Sequence, residues 1–119
     1  MRVILATFFL LSGFALSAQK TATVASEKAI QEGVSTGLYN FTFPEELGKE
    51  EITKVGSYYE QYFSVNVSEG ANKVSLKLTQ NDVRSRMVVM RFLTANGIER
   101  VVVGSKELSI EEFNTLYLK

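Results

Sequence analysis

The chain has 119 residues, its 13 Lys and Arg balance 13 Asp and Glu, and it contains no His, Cys or Trp. That inventory excludes a disulfide framework, thiolate or imidazole metal ligands, and the His-assisted pairings of nucleophilic catalysis. It also provides no basic footprint for nucleic acid or for an anionic membrane surface.

Met1 and Arg2 precede an apolar run from Val3 to Leu11, and a small-residue exit follows through Ser17, Ala18 and Gln19. This pattern predicts a signal peptide over residues 1–18, cleaved after Ala18. Ser12 and Gly13 break the run well short of the roughly 20 residues that a spanning helix needs. A lipoprotein anchor would require a Cys, and there is none. The expected product is periplasmic or secreted, with no membrane span after cleavage. Loss of Arg2 leaves its acidic residues ahead by one.

Residues 19–37 are small and polar and read as a flexible N-terminal arm. The patterned domain is expected over residues 38–119. Tyr39, Phe41 and Phe43 alternate with Asn40 and Thr42, which predicts a half-buried strand ended by Pro44. Glu45, Glu46, Glu50 and Glu51 crowd the start of a helix, where carboxylates suit the positive end. Ile52, Val55, Tyr59 and Tyr62 continue it at helical spacing. Phe63, Val65 and Val67, then Val74, Leu76 and Leu78, form two alternating runs around a Gly-containing turn, which is a hairpin. Asp82 caps a second helix with Val83, Met87, Met90 and Leu93 as its expected inner stripe, and Asn96-Gly97 stops it. Ile98 to Val103 is a fourth strand. Ser109 and Glu112 form a capping box, with Leu108 and Phe113 as the staple of a short terminal helix.

The order β-α-β-β-α-β predicts an α+β, ferredoxin-like fold. In it a four-stranded antiparallel sheet, ordered 4-1-3-2, carries two helices on one face, and a short C-terminal helix follows. From Tyr39 to Gly104 the chain resembles a heavy-metal-associated domain in element order, helix length and the tight hairpin. That family places a Cys-x-x-Cys pair after its first strand to hold a soft metal. The corresponding loop here is Phe43-Pro44-Glu45-Glu46-Leu47, without a thiol. The resemblance therefore implies the fold, and no metal-site residue carries over. Secreted inhibitor and propeptide domains of subtilisin-type proteases share this topology, but end in an extended tail where this chain predicts a capped helix.

No catalytic constellation, resident metal site or cofactor is expected. The carboxylates at residues 45–51 lack the spacing of a calcium loop and fit a solvated helix start. Met87 and Met90 could offer thioethers to copper, yet suit core packing. Two surfaces remain. Val101, Val102 and Val103 lie on a predicted edge strand open to strand addition, and Tyr58, at the end of the first helix, is a further candidate as an exposed interface aromatic. The outward sheet residues Asn40, Thr42, Ser64, Asn66, Ser68, Ser75 and Lys77 make a polar face without the aromatics that stack RNA bases. The expected function is an exported, non-enzymatic binding module that engages a protein partner or a second copy of itself. The alternatives are a Met-based copper handler derived from the heavy-metal-associated fold and a protease-inhibitor-like domain.

Overall fold

The computed structural model describes residues 20–68 and 72–119. The signal segment read over residues 1–18, and most of the hairpin turn, lie outside the described residues. The elements run β1 (Lys20–Val24), α1 (Glu27–Thr36), β2 (Leu38–Thr42), α2 (Lys49–Ser57), β3 (Phe63–Val67), β4 (Lys73–Leu78), α3 (Val83–Ala95), β5 (Ile98–Val103), β6 (Lys106–Ser109) and α4 (Ile110–Phe113). A π-turn over Asn114–Leu118 continues α4.

The six strands form one mixed sheet in the order β3-β4-β2-β1-β5-β6. This overturns the four-stranded antiparallel ferredoxin-like sheet with two helices. The four anticipated strands keep their relative order, but β1 is wedged between β2 and β5 and runs parallel to β5. The last strand, β6, adds a further antiparallel partner to β5.

The segment expected as an arm supplies β1 and α1. Ala22 and Val24 face the core, while Thr23 faces away. Ser26 caps α1 by accepting from the Ala29 N–H at 3.1 Å. Gly37 ends it in the left-handed region at φ 79°, which costs Gly little. Opposite β1, the β5 ladder is interrupted between Ile98 and Arg100, with Glu99 as the extra residue. The bulge lets Ile98 share the buried side with Val101 and Val103.

All helices cover one face. Helix α1 lies against β2, α2 against β3, and α3 and α4 against β5. The α2–β3 approach is close at Gly56, where a Cβ would meet Val65 Cγ2 at 2.6 Å. Helix α3 departs from its expected stripe: Val88, Val89, Phe92 and Leu93 are buried, whereas Val83 and Met87 are about half exposed. Packing against α2, β5 and the π-turn selects that neighbouring face. The capping box is present, with Ser109 N–H donating to Glu112 at 2.8 Å and Glu112 N–H donating to Ser109 at 3.1 Å.

At the starts of α1, α3 and α4 a carboxylate is held below its ordinary range. The Tyr117 hydroxyl and then Lys106 hold Glu27 below its ordinary range. Backbone N–H donation lowers Asp82 through Ser85 and Glu112 through Ser109.

Tyr39 is 1% exposed, stacks on Phe41, and its hydroxyl has no hydrogen-bond partner among the described residues. Burial pushes its pKa up to about 12, against an opposing pull from Arg86. The folded value lies above the unfolded value of 10, so this contribution is fully present below pH 10 and is lost as pH rises towards 12. Tyr39→Phe is expected to stabilise the protein by about 1 kcal/mol, because a buried unpaired hydroxyl is costly. It should also flatten the alkaline loss. Urea titrations at neutral pH and at about pH 11 test both effects.

Candidate functional site

Register places the polar residues of the uncovered sheet face in rows. Asn40 and Asn66 both pair with Ser75, so an Asn-Ser-Asn row crosses β2, β4 and β3. A second row runs Thr23-Thr42-Lys73 across β1, β2 and β4. A third runs Leu38-Lys77-Ser64. Strand alternation produces this arrangement: each of these residues neighbours one that points into the core.

The first two rows line a concavity of about 550 Å³ bounded by Thr23, Asn40, Thr42, Asn66, Lys73 and Ser75. Ser75 Oγ donates to Asn40 Oδ1 at 2.8 Å. That bond turns the Asn40 amide so that its NH₂ group remains available as a donor. Lys73 and Lys77 have no ion-pair partner among the described residues. The acid on this side of β6, Glu107, is held by Arg100 at 3.2 Å. The half of the face built from β2, β4 and β3 therefore combines amides, hydroxyls and two ammonium groups, with no carboxylate in its rows.

The floor is anchored at the β4 entrance. Asn72, in the left-handed region at φ 47°, donates its side-chain amide to the carbonyls of Pro44 and Leu47, each at 2.7 Å. Its own carbonyl accepts from the Phe43 N–H at 2.9 Å. One side chain thus ties the start of β4 to the loop after β2.

Asn40, Thr42, Ser64, Asn66, Ser75 and Lys77 all lie on the uncovered face, and the structure brings Asn40, Thr42, Asn66 and Ser75 into the concavity. Thr23 joins them only because β1 exists. Lys73 completes the Lys73-Ser75-Lys77 alternation, a signal already present in the sequence.

The valine site is not an edge. Strand β5 lies between β1 and β6, Val101 and Val103 are buried, and Val102 is half-buried. Their backbone groups are engaged on both sides, so strand addition there is blocked. Tyr58, at the end of α2 in the helical layer, is 66% exposed, as expected of it. Met87 is exposed and Met90 is partly buried. Among the described residues no cluster of three or more acidic side chains could hold a metal ion. Among them also, no helix is long and apolar enough to cross a membrane.

Compared with protein-family models, curated proteins and solved structures, the chain finds no match in any of the three.

Proposed function

We propose that the protein is an exported, non-enzymatic binding module whose open sheet face holds an anionic, hydroxyl-rich ligand, an acidic saccharide. The observation that carries this reading is the concavity of polar rows that includes Lys73, flanked on the same face by the row that carries Lys77, with no acid in these rows. Side-chain amides present a donor and an acceptor side by side, which suits neighbouring hydroxyls. The ammonium groups supply the complementary charge for a carboxylate. The face has no aromatic platform, which disfavours nucleic-acid bases. Export rests on the leader pattern of residues 1–18.

An array of acidic and neutral saccharides probed with the purified protein tests the reading. Uronate- or sialate-bearing members should retain the protein and their neutral counterparts should not. Lys73→Ala and Lys77→Ala should each weaken binding about tenfold, equivalent to about 1.4 kcal/mol for a lost charge-assisted contact. Retention on no acidic member, or retention unchanged by both substitutions, contradicts it.

A further inference from the structure

The uncovered sheet face has a direction as well as a composition. Lys73, Ser75 and Lys77 alternate along β4, with Val74 and Leu76 buried between them. At a rise of about 3.4 Å per residue, the Lys73 and Lys77 Cα atoms stand about 14 Å apart.

The three rows that cross β4 differ in chemistry. The Thr23-Thr42-Lys73 row joins two hydroxyls to an ammonium. The Asn40-Ser75-Asn66 row is neutral, and its Ser75 hydroxyl is bonded to Asn40 at 2.8 Å. The Leu38-Lys77-Ser64 row sets an ammonium between an apolar side chain, 45% exposed, and a hydroxyl. Positive charge therefore stands towards both ends of β4 and is missing from its middle. The concavity contains Lys73 and the neutral row, and the row of Lys77 flanks it.

One carboxylate cannot use both lysines well. At physiological ionic strength the screening length is about 8 Å, shorter than the separation of the two rows. A carboxylate seated at Lys73 gains little from Lys77 at that range. Drawing both ammonium groups onto one carboxylate sets like charges together and costs the freedom of two long side chains.

We infer that the face binds a linear polyuronate laid along β4, with one carboxylate at Lys73, a second at Lys77, and the hydroxyls between them on the Asn40-Ser75-Asn66 row. The concavity takes the ring at the Lys73 end. Beyond it, Leu38 meets the apolar C–H face of a ring whose carboxylate lies on Lys77. Two-point binding rests on the acidic-saccharide reading and adds the length and direction of the ligand. A single sugar satisfies one lysine only. The loss expected at Lys77 then falls on ligands that carry the second carboxylate.

The test is a set of dissociation constants, read by NMR titration of the purified protein with galacturonate and its linear oligomers up to the hexamer. Affinity should step up about tenfold at the length that first spans both lysines, the increment of one charge-assisted contact. In Lys77→Ala the step should vanish, while the short members bind as they do to the natural chain. In Lys73→Ala every length should bind about tenfold more weakly. Lys77→Arg keeps the charge and should keep the step. Both lysines are exposed, so each variant should retain its circular dichroism spectrum. A natural chain without the step, or a step that persists in Lys77→Ala, overturns the inference. So does a monomer whose binding both alanine substitutions weaken, because one carboxylate then lies between the two lysines. In each of these outcomes the acidic-saccharide reading itself survives. If no member binds, the reading and the inference fall together.

Discussion

Phe92→Ala is expected to destabilise the protein by about 3–5 kcal/mol, the cost of emptying a large aromatic site in a core. Phe92 is fully buried. Its ring lies 5.6 Å from that of Phe63, 5.9 Å from Phe43 and 6.5 Å from Tyr59. It therefore joins α3 to β3, to the residue that closes β2, and to the turn after α2. A domain of this size has only about 5–15 kcal/mol in total, so the loss takes a large share of it. Phe92→Leu keeps much of the volume and should cost far less, about 1.5 kcal/mol. Urea titration followed by circular dichroism measures both. A loss below about 1 kcal/mol for the alanine variant would mean that α3 does not pack over the sheet in this way.

Asn72→Ala is the second large effect, about 2–4 kcal/mol from two lost hydrogen bonds and a left-handed backbone that Ala resists. The structural basis is the pair of 2.7 Å bonds to Pro44 and Leu47, at φ 47°. Asn72→Gly separates the two causes. It loses the same side-chain bonds but accepts the backbone, so it should be milder than Ala by about 1 kcal/mol. Equal losses for Ala and Gly would remove the backbone part of the account. Since Asn72 precedes Lys73, the alanine variant should also loosen the concave face, visible as amide shifts at Thr42 and Lys73.

The open face was the most legible part of the chain. Alternation at Asn40, Thr42, Ser64, Asn66, Ser75 and Lys77 has a period that only a strand imposes, and the side each residue takes follows from it. The capping residues Asp82, Ser109 and Glu112 were legible for a similar reason, since each works within one turn of chain.

What escaped the sequence depends on partners distant along the chain. Strand β1 has only Ala22 and Val24 on its buried side, and Ala22 is too small to announce a core position. Its stability comes from two neighbours, β2 and β5, that no local pattern names. Helix α1 buries Ile30 and Gly33, and the glycine weakens its periodicity while allowing the approach of Tyr39. With β1 unseen, β5 looked like an edge, and Val101, Val102 and Val103 looked available. The same omission hid Thr23 from the candidate site. On α3, Val83 and Met87 match one helical stripe and Val88, Val89 and Phe92 match the next, and only tertiary packing chooses between them.

An amide-by-amide NMR titration with trigalacturonate tests the binding face most directly. Shifts should cluster at Thr23, Asn40, Thr42, Asn66, Lys73 and Ser75, with the helical layer unmoved and the effect lost in the Lys73→Ala, Lys77→Ala double variant. Absence of any shift, or shifts centred on Tyr58, Met87 and Leu116 in the helical layer, would contradict the assignment of the open face as the site.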